Sequence, residues 1–207
     1  MNAPLPPAPG GPRDPSRSSY YVTDAFYREL IENFSDWQDD RRATADAAVR
    51  DEFRRLLERE ARLLDQLRYE DWLGMYCAEC IYWVPSTPQA GDPRREIAVM
   101  FDDRRRLEDR IYRLRTGFAW SQAPASRTVR LITNVEVFAT ADPDTHMLRS
   151  NFLISEFWGD ETRILTGWAG HRVLRDESGL PGGWKIQAKQ VNLIDCDQSI
   201  RNPSIIL

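Results

Sequence analysis

Apolar residues recur at three- and four-residue steps in the first half of the chain and at two-residue steps in its last third. From Asp24 to Trp37, Ala25, Phe26, Leu30 and Phe34 form one stripe, and Thr23 stands where a helix N-cap belongs. A polar stretch, SDWQDDRRATAD, breaks that pattern. A longer helix is predicted from about Ala45 to Gln66, with Val49, Phe53, Leu56, Leu57, Leu63, Leu64 and Leu67 on one face. Arginine and glutamate fill its other face, as in the pair Glu58 and Arg62. Tyr69 to Met75 reads as a helical turn, and Cys80 to Val84 as a strand stopped by Pro85, which has no amide to donate. After the loop STPQAGDPRRE, Ile97 to Phe101 reads as a short strand. A charged helix follows from about Asp102 to Arg115, with Leu107, Ile111 and Leu114 as its apolar positions and Gly117 placed to end it.

The period then changes. Val129, Leu131, Thr133, Val135 and Val137 alternate with Arg130, Ile132, Asn134, Glu136 and Phe138. ADPDTH reads as a turn, Met147 to Trp158 as a strand, and Gly159-Asp160 as a tight turn. Glu161 to Arg175 and Trp184 to Asp195 are two further strands, joined by the glycine-rich ESGLPGG. Helices first and a strand meander afterwards predict an α+β fold, with helices on one face of a mainly antiparallel sheet.

Composition narrows the function classes. At 207 residues, 42% hydrophobic and 11% aromatic, the chain can bury one sizeable core. The expected organisation is a flexible N-terminal arm, 1–19, rich in proline and glycine, followed by a single domain over 20–207. The net charge of -4 argues against a general nucleic-acid binder, which needs a basic surplus. No apolar run approaches the ~18 residues of a membrane span. The N-terminus lacks the basic start and apolar core of a secretory signal, so the expected compartment is the cytoplasm. Three cysteines, an odd number, fit a reducing compartment.

Metal and redox chemistry find little to work with. A structural zinc site needs four ligands, and beyond Cys77-Ala78-Glu79-Cys80 only Cys196, His146 and His171 remain. A redox-active pair belongs at a helix N-terminus, whereas this CxxC leads into a strand and reads as two half-buried free thiols. The charged helix carries Arg104, Arg105, Arg106, Arg110, Arg113 and Arg115 against Asp102, Asp103, Glu108 and Asp109. A solvated face of internal ion pairs and a subunit interface are both open readings of it.

Three segments closely resemble the small (beta) subunits of Rieske-type aromatic-ring-hydroxylating dioxygenases. They are REARLLDQLRYEDWLGMYCAECIYWVP (Arg59 to Pro85), DDRRRLEDRIYRLRTGFAWSQAPASRTVRLITNV (Asp102 to Val135), and the last strand and tail with Asn202, Pro203 and an apolar close. The resemblance implies a cone-shaped fold of the nuclear-transport-factor-2-like type. It also implies a trimer of small subunits supporting three catalytic large (alpha) subunits, a three-plus-three heterohexamer. In that family the large subunit carries the Rieske iron–sulfur cluster and the mononuclear non-haem iron. The small subunit is mainly structural and sometimes influences substrate preference. The chain departs in its arm and helix before Ala45, and in Cys80, where an acidic or polar residue is expected.

The residues agree that iron is held elsewhere. A Rieske cluster needs two Cys and two His in close pairs, and no Cys here lies two or three residues from a His. A mononuclear site needs two His and a carboxylate on one face, and His146 falls in a predicted turn while His171 falls in a strand. No catalytic, cofactor-binding or metal residue is therefore expected on this chain. The resemblance favours the interface reading of the charged helix, with Asp102, Arg104, Arg105, Arg106 and Arg113 as its members and Trp120 as a plausible anchor. The alternative is a stand-alone cone-fold ligand binder or non-metal isomerase or dehydratase. Its acid–base candidates are Tyr76, Tyr82, Asp71 and His171, although Trp72, Tyr82, Trp83 and Trp168 could equally fill the cone.

Overall fold

Capping side chains fix where the helices begin. The structure, a computed structural model, describes residues 22–88, 90–116, 119, 122, 124–176 and 182–207. The expected arm, the stop at Gly117 and the anchor Trp120 lie outside the described residues. Thr23 accepts from the Phe26 amide at 3.3 Å and opens α1, Asp24–Asn33. Asp36 takes a positive φ of 50°, and the chain leaves the helix before Trp37. A 3-10 turn, Asp40–Arg42, occupies the polar stretch. Asp46 accepts from the Ala48 and Val49 amides and starts α2, Ala47–Asp65. Leu67, at φ 56°, lies beyond the helix that its apolar spacing suggested. The short helix α3 spans Tyr69–Leu73.

Six strands follow: β1 (Tyr76–Pro85), β2 (Ala98–Asp103), β3 (Arg127–Ala139), β4 (Thr145–Trp158), β5 (Glu161–Arg175) and β6 (Trp184–Leu193). They form one sheet in the order β2-β1-β6-β5-β4-β3. All neighbours are antiparallel except β1 and β6, which run parallel. Helix α4, Arg104–Thr116, starts two residues later than its charge pattern suggests. Asp102 and Asp103 finish β2, and Asp103 caps α4 by accepting from the Arg106 amide at 2.8 Å. His146 belongs to β4 and not to a turn.

Helices lie on both faces of this sheet, not on one. The inner face carries the main core: Phe53, Leu57 and Leu64 of α2 and Leu107 of α4 meet Tyr82, Leu148, Ile154, Val173 and Val191. Strand β1 is covered on both sides. Cys80, Tyr82 and Val84 face this core, while Ile81 and Trp83 face outward against Leu30, Phe26 and Phe34 of the N-terminal segment. Farther along the outer face, Trp37 packs on Phe138, Met147 and Trp168. An amphipathic stripe such as that of α1 specifies that a face is buried, not which side of a sheet receives it. Gly170 decides the matter locally. A Cβ there would sit 2.9 Å from the Trp37 ring and 3.1 Å from the Phe34 ring, so the missing side chain is the notch that admits both.

The alternation in β3 also reverses within the strand. A bulge between Thr133 and Glu136, with Asn134 at φ 51°, inserts an extra residue. Before it, Ile132 faces the core and Val129 and Leu131 face solvent; after it, Val135 and Val137 face the core. A one-residue slip exchanges the two faces of a strand, so a single unbroken alternation cannot describe it. The whole is the cone-shaped α+β arrangement of the nuclear-transport-factor-2-like type, a curved sheet wrapped around helices.

Replacing Gly170 with Ala should lower the unfolding free energy by about 1–3 kcal/mol, the usual range for overpacking a filled site. Denaturant unfolding followed by tryptophan fluorescence measures it. Wild-type stability in that variant would show that Phe34 and Trp37 move aside freely.

Candidate functional site

Glu60 sits on the buried stripe of α2, three residues after Leu57 and four before Leu64, so helical geometry aims its carboxylate at the inner face of the sheet. It is 3% exposed. Oε1 accepts from Tyr76 Oη at 2.8 Å, Lys189 Nζ at 3.0 Å and Trp72 Nε1 at 3.2 Å. Oε2 lies 3.2 Å from His171 Nε2. These four donors come from α3, β1, β5 and β6.

The electrostatics follow from burial and pairing. Burial alone would raise the Glu60 carboxyl, but the Lys189 charge and the hydrogen bonds from His171 and Tyr76 outweigh it and hold it well below the usual carboxylate range. Burial pushes the His171 imidazole below its ordinary 6.5 against the pull of Glu60. Burial, reinforced by Glu60, likewise raises the Tyr76 and Tyr82 hydroxyls. Burial lowers the Lys189 ammonium against the pull of Glu60, so the two groups, 3.0 Å apart, are coupled, beside an imidazole and two phenols that burial favours in their neutral forms. His171 then donates through Nε2 to the carboxylate, leaving Nδ1 as an acceptor. That atom is buried without a hydrogen-bond partner among the described residues.

The segment 202–207 closes the cone over this centre. Ile205, Ile206 and Leu207 are all buried. The Leu207 carbonyl oxygen accepts from Lys189 Nζ at 3.1 Å and from Tyr82 Oη. The Arg130 guanidinium reaches the Ile206 carbonyl and pairs with Asp65 at the end of α2. Asn202 donates to Glu156 at 2.6 Å. What space remains is a cavity of about 20 Å³ lined by Glu60, His171, Lys189, Arg130 and Leu207. That is room for one water molecule and not for an organic substrate. The groups have acid–base character, but in this state they join secondary-structure elements.

Of the acid–base candidates, the structure gathers Tyr76, Tyr82 and His171 and leaves out Asp71, which is exposed and pairs with Arg68 at the start of α3. Of the bulky set, Trp72 and Tyr82 are inside, while Trp83 and Trp168 belong to the outer face. Sequence reasoning missed Glu60, Lys189 and Arg130. Their signal was present: a carboxylate within a leucine stripe, and cations at inward positions of alternating strands.

Cys77 and Cys80 lie in β1 and carry no disulfide. Burial pushes their thiols up to about 11 and about 12, so both stay protonated and weakly reactive. His146 packs between the rings of Phe53 and Trp184, at 5.1 and 5.2 Å, and is engaged apart from His171. The donor set fits neither iron group, and among the described residues no three His, Cys, Asp or Glu are grouped to hold a metal.

The charged helix divides in two. Asp102 is buried and pairs with Arg110 at 2.6 Å, and Arg104 donates to Glu108 and to the Leu73 and Tyr76 carbonyls. Arg106 reaches the Phe101 carbonyl at 3.0 Å. Arg105 and Arg113 are exposed and make no side-chain hydrogen bond or ion pair among the described residues.

The cone fold with a buried, closed interior defines a class, and comparison with known proteins places the chain within it. The ring hydroxylating beta subunit family matches residues 59–198, well over half of the chain, so the chain belongs to that family. It is 39% identical over 84 residues to the 2-halobenzoate 1,2-dioxygenase small subunit of Burkholderia cepacia. That match covers 38% of this chain and 51% of the relative, so the chain spans about half the length of the curated relative it matches. The benzoate 1,2-dioxygenase beta subunit of Burkholderia mallei is 29% identical, with a TM-score of 0.60, over 79% of this chain and 99% of that one. Naphthalene 1,2-dioxygenase with indole bound in its active site shares the fold at 22% identity and a TM-score of 0.67, over 90% of this chain and 95% of that one. Among the described residues no helix is long and apolar enough to cross a membrane.

Two outcomes test the buried centre. Glu60→Gln leaves the Lys189 ammonium buried without a carboxylate and should cost about 3–5 kcal/mol of stability, much of it recovered by adding Lys189→Met. Additive losses in the double variant would mean the pair is not coupled. The pH dependence has a fixed sign, because Glu60, His171, Lys189 and His146 are all depressed and bind protons more readily in the unfolded chain. His171 contributes stability that is lost as pH falls below its ordinary 6.5, and Glu60 contributes stability lost below 4.5. Unfolding free energy should fall on acidification, and His171→Gln should shrink the loss below 6.5, the remainder belonging to His146.

Proposed function

We propose that this chain is the small subunit of an aromatic-ring-hydroxylating dioxygenase that works in the cytoplasm. It trimerises and holds three catalytic large subunits in register, and those subunits carry the Rieske cluster and the mononuclear iron. The match of residues 59–198 to the ring hydroxylating beta subunits carries this reading. The closed interior supports it, since the cavity of about 20 Å³ beside Glu60 has no room for a ring substrate. The stand-alone binder or isomerase has no such support.

Two surfaces suit assembly. On the outer face of the sheet, Leu131, Leu153, Thr166 and Ile194 lie in one cross-strand row, and Val129, Ser155 and Ile164 in the next. Val129, Leu131, Ile164 and Ile194 are 54–78% exposed, an apolar face that an isolated chain would leave in water. It suits self-association. Arg105 and Arg113 on α4, exposed and without an ion pair among the described residues, suit a partner offering carboxylates.

Native mass measurement after co-expression with a candidate large subunit is the direct test, with equal numbers of the two chains expected. A chain that stays monomeric and never associates would sink the proposal, as would stoichiometric iron bound to this chain alone. Reversing Arg105 and Arg113 together to Glu should weaken association with the large subunit by roughly thirtyfold or more while the isolated fold persists. Unchanged assembly would return this helix face to solvent. Ile164→Lys should instead block self-association, read as a shift to monomer in sedimentation, with an unaltered circular dichroism spectrum.

A further inference from the structure

Tyr82, Lys189 and Arg130 present three buried donors to the interior of the cone, and all three are spent on backbone carbonyl oxygens of one segment. Tyr82 Oη and Lys189 Nζ converge on the Leu207 oxygen, and Arg130 takes that of Ile206. Two donors aimed at one oxygen form a recognition geometry for an acyl group. The occupant is not part of any helix or strand. The bonds that hold it in this site are donated by side chains: Asn202 to Glu156, Arg110 to the Pro203 carbonyl, and the three just named. Beside the oxygen lies the cavity, lined by His171, 2% exposed, whose Nδ1 has no hydrogen-bond partner among the described residues.

We propose that the inner end of the cone is a binding site for a small acyl compound, a carbonyl or carboxylate oxygen carried on a branched apolar body, and that residues 205–207 occupy it as an internal stand-in. The oxygen is held by Tyr82 and Lys189, and the apolar body takes the place of the Leu207 side chain among Leu57, Leu64 and Val191. The His171 Nδ1 accepts from a donor on the ligand or from a water carried in with it. Ligand and tail compete for one set of donors, so filling the site releases the tail. This site is independent of the assembly surfaces, and its test does not depend on a partner subunit.

The probes are 4-methylpentanamide and 4-methylpentanoate, which reproduce the Leu207 side chain, Cα and carbonyl in uncharged and charged form. Both are titrated into the 207-residue chain, with the Trp72 indole N–H resonance as reporter because that group donates to Glu60. Leu207→Ala and Asn202→Ala each loosen the tail without touching Tyr82 or Lys189. Saturable binding of either probe is expected, roughly tenfold tighter in a tail variant than in wild type. Tyr82→Phe in the same background should weaken it by roughly tenfold. Whichever probe binds tighter gives the charge of the ligand. Should Leu207→Ala fail to fold, Asn202→Ala and wild type carry the comparison. Absence of saturable binding in every folded form overturns the proposal. So does an affinity that neither loosening the tail nor removing the Tyr82 hydroxyl alters.

Discussion

A single buried carboxylate sets the geometry of this cone. Moving Glu60 out of water carries a desolvation penalty of several kcal/mol, which is tolerable only if its oxygens are fully engaged. Tyr76, Lys189, Trp72 and His171 supply that engagement from four different elements, so α2 can dock on the sheet in one rotation and at one depth. The surrounding leucines are less demanding, because apolar contacts tolerate sliding and hydrogen bonds at 2.8–3.2 Å do not. The same lysine reaches on to Leu207, so the centre that seats α2 also seats the segment closing the cone. A second clamp repeats the logic at the end of α2, where Asp65 takes the Arg130 guanidinium and backbone amide and the Thr128 hydroxyl of the edge strand β3.

Much of this was legible in the sequence wherever a local rule decided the outcome. Helix periods, the Thr23 cap and the long alternating strands fall where pattern places them, because capping and amphipathicity act over a few residues. The misses share a cause, which is information held in distant parts of the chain. Whether α1 lies inside or outside the sheet depends on the notch at Gly170, well over a hundred residues away. The reversal in β3 depends on a bulge at Asn134, whose positive φ is tolerated by asparagine but not announced by it. Glu60 reads as a flaw in a leucine stripe until Lys189 and His171 are brought against it. His146 and His171 read as two loose imidazoles until one is found between aromatic rings and the other on a carboxylate.

The segment before α2 is held by the sheet and not by α2. Residues 22–46 lie outside the span matched by the ring hydroxylating beta subunits. They lie across the outer face of β1, β2 and β6 and reach β5, β4 and β3 through Trp37, tied down by aromatic contacts such as Tyr27 on Phe101 at 5.5 Å and Trp37 on Phe138 at 5.4 Å. This strap covers only part of the face. Val129, Leu131, Ile164 and Ile194 stay bare at the other end. The division is physical: an aromatic strap buries surface that would otherwise associate, so where it stops limits where another chain can sit.

Inside and outside of the cone are therefore specialised in opposite ways. An enzyme of this shape needs its titratable groups to meet solvent and substrate, and it needs space beside them. Here the same kinds of groups are sealed under Leu207 with room for one water. Their depressed and raised proton affinities result from burial and pairing, which shift a structural centre just as they shift a catalytic one. Perturbed titration alone cannot separate the two cases; access can. While Leu207 seals the interior, what the molecule turns outward is the exposed arginines of α4 and the bare sheet face.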